Sequence, residues 1–395
     1  MQVISSNLQG DQSLRKFWRK FPAIFVFQYQ CSPMSSSESI EHQFNMAVRY
    51  QRHARNVITV LLLDEVGLAE HSPDMPLKVL HKIMVQPKVS IVGISNWVLD
   101  PAKMNRAICL QRPTPSQEDI HLTGQRIIIA PTVHVALESD GGGASTAASL
   151  QRTTSAGRRL APWLAPLAQA YHQIYTEQDG RDFVGMRDYY QLLKFLRYHL
   201  SERGSGYALD AELLTFAICR NFGGKTELLA RAVAAFHAGC FGAHEPGVAL
   251  HIPQPSVRSL IQANLEDTTA RHLMVLTSNG AALPLMFGCG LLSQQNTTIL
   301  HGSQFQEDMN ELHLVQQINE VKLAMATGNT ICLVNHDNIY EALYDVLNQR
   351  YVTKNDVTTG VAKRMLRLAI GSRSQLCAVE NSFKLIVIVE QGNLF

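Results

Sequence analysis

Three apolar runs, at 24–28, 57–63 and 89–95, show no alternation of polar and apolar positions. Strands covered on both faces of a parallel sheet have this pattern. Helical periodicity fills the intervals: 37–51 opens among serines able to cap it, and 75–85 carries Pro76 in its first turn, where a missing N–H has no consequence. This order predicts a doubly wound α/β sheet. Beyond Pro115 the pattern turns helical, with 116–126 followed by 161–178, 187–202 and 208–220. The glycine- and serine-rich stretch 139–157 reads as a flexible surface loop without assigned function. Strand-like runs return at 273–277, 297–301, 330–335 and 385–389, separated by helical stretches at 304–326 and 338–351.

The expected organisation is therefore an α/β sheet domain over 1–113, an all-helical domain over 114–250, and a second sheet domain over 256–395 that is cut off at its end. The sheet domains look like copies of one plan about 270 residues apart, with Val60-Leu61-Leu62-Leu63-Asp64-Glu65 falling where Ile331-Cys332-Leu333-Val334-Asn335-His336 falls.

Composition narrows the class. The 395 residues are 46% hydrophobic and 17% charged, ordinary for globular protein and enough for two or three domains. A net charge of +2 without long runs of either sign leaves no electrostatic footprint for nucleic acid. No apolar run reaches about 18 residues and the N-terminus lacks the order of a signal peptide, so a cytosolic chain without a transmembrane segment is expected. Seven scattered cysteines with no C-x-x-C pair support neither a zinc site nor a disulfide framework.

The chemistry gathers at Leu61-Leu62-Leu63-Asp64-Glu65. A buried strand ending in two carboxylates is the Walker B arrangement. ATP hydrolysis needs Mg2+ held near the β- and γ-phosphates, and a second carboxylate to orient the attacking water. The carboxyl end of a parallel strand is where open α/β sheets bind ligands. Asp64 would hold the metal through its bound waters, and Glu65 would polarise water. An isolated apolar string ending in Asp-Glu can equally be a solvated turn, so its neighbours decide. The next strand ends in Asn96, whose amide suits a sensor that reads the γ-phosphate and the attacking water. Arg106 follows, placed to project into a neighbouring site and neutralise charge on the transferred phosphoryl group. In the helical domain, Gly185-Met186-Arg187 opens a helix, and Arg187 suits a lid arginine reaching back to the γ-phosphate. Gly223-Gly224-Lys225-Thr226 imitates the end of a phosphate-binding loop, but Cys219 stands where that pattern needs glycine and a helix precedes it. No other G-K-[ST] occurs.

The string from Leu61 through Asp64-Glu65-Val66-Gly67-Leu68-Ala69-Glu70-His71-Ser72-Pro73-Asp74-Met75-Pro76-Leu77-Lys78, with Gly93-Ile94-Ser95-Asn96-Trp97-Val98-Leu99-Asp100-Pro101, resembles the mysterin-type family of giant ring-finger E3 ubiquitin ligases. Gly185-Met186-Arg187-Asp188-Tyr189-Tyr190 and Tyr340-Glu341-Ala342-Leu343-Tyr344-Asp345 extend the likeness over most of the chain. The resemblance implies a dynein-like array of AAA+ modules. The chain would hold one catalytic module from just after its phosphate loop, its helical lid, and most of a degenerate following module. It implies ATP and Mg2+ as cofactors of the complete module, other AAA+ modules of the same or a parent chain as partners, and ubiquitin machinery engaged only through regions absent here. It also allows lipid-droplet association. Without the phosphate loop, ATP binding by these 395 residues alone is expected to be weak or absent. The alternative is a non-enzymatic scaffold that packs with AAA+ modules without turning over ATP. In the second module Asn335-His336 replaces Asp-Glu, the corresponding sensor strand leads into Glu390, and the residues from Ser278 to Ala282 cannot serve as a phosphate loop.

Overall fold

The computed structural model describes residues 2–96, 98–129, 155–178, 183–204, 206–242, 254–303, 305, 308, 310–355, 362–370 and 373–393. Positions 139–154 of the expected loop lie outside the described residues, as does Trp97. The chain forms two compact units, one of residues 1–111 and 293–389, the other of 112–292 and 390–395.

After a short helix (Gln2–Asn7) and two 3-10 turns, the first unit runs through strand β1 (Ala23–Gln30), helix α1 (Ser37–His53), strand β2 (Val57–Asp64), helix α2 (Lys78–Ile83) and strand β3 (Ser90–Gly93). The strands pair in parallel in the order β1-β2-β3. Central β2 is buried from Thr59 through Asp64, which explains its unbroken apolar run. Register sets Gln30 beside Asp64 and Leu63 beside Gly93, so the polar ends of all three strands converge on one edge. Ser36 caps α1, its hydroxyl accepting from the Ser39 amide at 3.2 Å. The helix buries Ile40, Phe44, Ala47 and Val48, the i, i+4, i+7, i+8 stripe of an amphipathic helix. Helix α2 begins later than the expected 75–85, at Lys78, because Met75 takes a left-handed conformation (φ 46°) that no helix continues through.

The second unit is mainly helical: α3 (Gln117–Ile129), α4 (Leu164–Thr176), α5 (Met186–Glu202), α6 (Ala211–Phe222), α7 (Thr226–Phe241) and α8 (Val257–Glu266), then strand β4 (Leu273–Thr277) and α9 (Ala282–Gly288). Tyr171, Leu193, Leu196, Leu214 and Phe236 fill its core. Arg197 is buried among them and donates to the Ile127 carbonyl at 2.7 Å, satisfying a carbonyl that the end of α3 leaves open. Helix α7 was absent from the sequence expectation; the glycines before it hid a new start behind an apparent loop motif.

The remainder of the first unit comprises β5 (Thr297–His301), α10 (Glu311–Thr327), β6 (Thr330–Val334), α11 (Tyr344–Leu347), β7 (Val352–Asn355), β8 (Ala362–Ile370), β9 (Arg373–Ala378) and β10 (Lys384–Glu390), whose last residue falls to the second unit. Strands β5, β6 and β10 are parallel with β6 in the middle, while β7, β8 and β9 form an antiparallel sheet. The helix expected at 338–351 contracts to four residues plus a 3-10 turn at Asp337–Ile339. Gln349, at φ 51°, ends it, and the Arg350 amide turns back to the Asp345 carbonyl. Helix α10 starts at Glu311 rather than 304, where the Asn310 side chain accepts from the His313 amide at 2.7 Å.

Candidate functional site at the end of β2

Asp64 is the last residue of β2 and Glu65 the first beyond it, each only 2% exposed. Glu65 sits at φ 50°, a conformation that an unbranched glutamate reaches only at a cost of about 1–2 kcal/mol. Asn96, three residues past β3, donates its side-chain amide to both Glu65 oxygens, at 3.2 and 3.0 Å. The backbone fixes this meeting: the Ile94 amide donates to Leu63 and the Val66 amide to Ile94, which extends the β2–β3 register past the formal end of both strands. The structure thus brings Asp64, Glu65 and Asn96 onto one edge. Below them Cys31 is fully buried, its amide donating to the Asp64 carbonyl at 2.9 Å. Burial, reinforced by the Asp64 and Glu65 carboxylates, pushes the Cys31 thiol far up, so it is inert packing.

Four residues that sequence reasoning missed complete the cluster. Arg350 Nη1 donates to Asp64 Oδ2, and Gln28 Nε2 approaches the same oxygen at 3.4 Å. Arg367, on β8, donates to the Gln28 carbonyl at 2.5 Å. Asp345 is 2% exposed, and burial pushes its carboxyl up to about 6 despite the opposing pull of Arg350. Gln28 had a signal, a polar residue within the apolar β1. The others lie some 280 to 300 positions along the chain, with nothing local to mark them.

The end of β6 is built differently. The Cys31 amide bonds the Asp64 carbonyl as the Gly302 amide bonds that of Val334, and Asn335 takes φ 48° where Glu65 takes 50°. The repeat therefore matches Asp64-Glu65 to Val334-Asn335, one residue before the alignment expected from sequence. No carboxylate stands there. His336 is buried, its Nε2 2.7 Å from Gln317 Oε1, and burial lowers its pKa, which favours the neutral ring. It helps line a groove of about 550 Å³ with Met34, Asp74, Glu311 and His313. In the second unit, Glu390 accepts from the Asn279 and Gly280 amides at 3.1 and 2.5 Å, so a carboxylate of the protein already holds the amides that follow β4.

The remaining expected residues make none of these hydrogen bonds to Asp64, Glu65 or Asn96. Arg106 is exposed and folds onto its own turn, Nη1 donating to the Ala102 carbonyl. Arg187 is exposed in the first turn of α5. Gly223 and Gly224 follow the end of α6, and the Lys225 ammonium lies 4.8 Å from the centre of the Phe183 ring, not at a strand–helix turn.

The donor set suits a hard divalent cation. Asp64 Oδ1 is buried without a hydrogen-bond partner, which leaves it open to a metal-bound water. Among the described residues no group of three or more His, Cys, Asp or Glu side chains could cage a metal. Mg2+ at nucleotide sites takes one or two carboxylates and completes its shell with phosphates and water.

Residues 1–119 and 262–395 each match a family model described as RNF213 AAA domain. The chain is 33% identical over 418 residues to the E3 ubiquitin-protein ligase RNF213 of Mus musculus and 32% over 417 to that of Homo sapiens. It is 31% identical over 413 residues to the E3 ubiquitin-protein ligase rnf213-beta of Danio rerio. Each alignment covers all of this chain but only 7% of the relative's length. Among the described residues no helix is long and apolar enough to cross a membrane. Parallel sheets interleaved with helices, two matched AAA domains and identity along the whole length agree with the mysterin-type resemblance: the chain belongs to the AAA-domain region of the RNF213 family.

Proposed function

We propose that the end of β2 is the hydrolytic half of a Mg-ATP site in the AAA+ motor of an RNF213-type protein. The observation that carries this reading is the Asn96 amide bridging both oxygens of Glu65, beside an Asp64 oxygen that is buried and unpartnered. Asp64 Oδ1 would hold a water of the Mg2+ shell. Mg2+, when bound, supplies charge neutralisation at the β- and γ-phosphates. Glu65 would accept a hydrogen bond from the attacking water and align it, with Asn96 fixing the carboxylate's angle. Arg106 and Arg187, both exposed, are assigned to the finger and lid roles at nucleotide sites of the assembled motor.

The phosphate-binding loop is not among the 395 residues, so by themselves they are expected to bind Mg-ATP weakly or not at all; micromolar affinity by calorimetry would contradict this. The organisation into a sheet portion over 1–113, a helical lid over 114–250 and a second module over 256–395 belongs to the same reading. For that second module the observations favour a scaffold: Val334-Asn335 stands at the strand end in place of a carboxylate pair, and Glu390 holds the amides that follow β4. Ubiquitin transfer, named for the relatives, would be served by the motor rather than performed by it. The test is Asn96→Ala in the complete motor. ATP turnover should fall by about 100-fold or more; unchanged turnover would remove Asn96, and with it the main support for the site.

A further inference from the structure

One guanidinium faces two buried carboxylates. Arg350 Nη1 hydrogen-bonds Asp64 Oδ2 and lies 3.6 Å from Asp345 Oδ1, an oxygen that is buried and has no hydrogen-bond partner. Arg350 is tethered without being enclosed. Its Cζ sits 4.9 Å from the centre of the Tyr344 ring, Nη2 is 3.4 Å from the Tyr344 hydroxyl, and 30% of the side chain is exposed. Asp345 and Tyr344 belong to α11, and Arg350 follows the left-handed turn at Gln349, so donor and second acceptor share one short segment.

Electrostatics decide which partner Arg350 takes. The pairing with Arg350 neutralises Asp64, a carboxylate 2% exposed, which unpaired would be costly. A divalent cation at Asp64 neutralises it instead and repels the guanidinium. Asp345, already within ion-pair range of Nη1, is then the carboxylate within reach, needing closure of under about 1 Å to reach charge-assisted hydrogen-bond distance. Arg367 donates its Nη1 to the Gln28 carbonyl and acts on Asp345 and Asp64 only through its charge, so Arg350 is the arginine placed to change partners. We infer that Arg350 is a two-position latch: it is seated on Asp64 with Asp345 in range, and passes to Asp345 when a divalent cation binds Asp64. The segment from Tyr344 to Arg350 thereby registers metal loading at the end of β2. The inference rests on the reading of Asp64 as the metal-side carboxylate.

The test uses Mn2+ as the probe and water-proton relaxation as the readout, on the whole 395-residue chain and without nucleotide. Arg350→Gln should tighten Mn2+ binding about tenfold, and Asp345→Asn should weaken it about tenfold by removing the second seat. The deciding result is the double variant. In the Arg350→Gln background, Asp345→Asn should change Mn2+ affinity by less than about twofold, because no arginine remains to be reseated. An equal effect of Asp345→Asn in both backgrounds means simple charge attraction and overturns the latch. If Asp64→Asn leaves Mn2+ binding by the Arg350→Gln chain unchanged, the reading of Asp64 itself fails. Should Arg350→Gln not fold, crystals of the unaltered chain with MnCl2 decide the matter. Anomalous density at Asp64 with Arg350 seated on Asp345 is the expected result; density there with Arg350 still on Asp64 overturns the latch, and its absence counts against Asp64 as the metal-side residue.

Discussion

The ends of β2 and β6 share a backbone and divide in chemistry. Both leave their strand through a residue near φ 50°, and both give their last strand carbonyl to the amide of a neighbouring chain segment. At β6 the left-handed position carries asparagine, a residue that tolerates it, and the strand ends on valine. At β2 the same positions carry glutamate and aspartate, both buried, with one carboxylate oxygen unpartnered. A fold optimising stability would choose the first solution. The second carries costs of strain and burial that the proposed Mg-ATP site would account for.

Substitutions can break this contrast. The largest effect should come from Asp64→Asn in the complete motor, lowering Mg-ATP turnover about 100-fold or more, while His336→Gln at the other strand end stays within about twofold of wild type. Equal losses would show that the two ends do not differ in role. Next, Arg350→Ala leaves Asp64 and Asp345 without their shared cation and should cost about 3 kcal/mol in urea unfolding. A loss below about 0.5 kcal/mol would show that solvent already compensates both carboxylates.

A smaller effect is pH-dependent. Burial raises the Asp345 carboxyl to about 6, above its unfolded value. Such a group contributes stability that is complete below the unfolded pKa and lost as pH rises through the folded one. Asp345→Asn removes that loss, so its stability relative to wild type should rise between about pH 4 and pH 7, by on the order of 1–2 kcal/mol. A pH-independent difference between the two would reject this. The smallest effect is Asn335→Ala, which should cost about 1 kcal/mol because alanine is disfavoured at φ 48°.

The sheet and helix pattern was legible because unalternating apolar runs such as 57–63 and amphipathic stripes such as Ile40, Phe44 and Ala47 are local signals. That Asp64, Glu65 and Asn96 come together was legible for a related reason: they lie at or just past strand ends, and parallel neighbours put strand ends side by side. The left-handed turn at Gln349 cut short the helix expected over 338–351 and placed Arg350 against Asp64, an outcome of long-range packing that no local pattern announces. The one-residue shift of the repeat was hidden likewise, since apolar runs fix a strand but not which residue ends it.

The central claim is that Glu65 orients the attacking water rather than merely ending a strand. The most direct measurement is the identity of the nucleotide recovered from the complete motor carrying Glu65→Gln after incubation with Mg-ATP. Retained ATP with hydrolysis abolished is the expected result; ADP formed at the wild-type rate would contradict it.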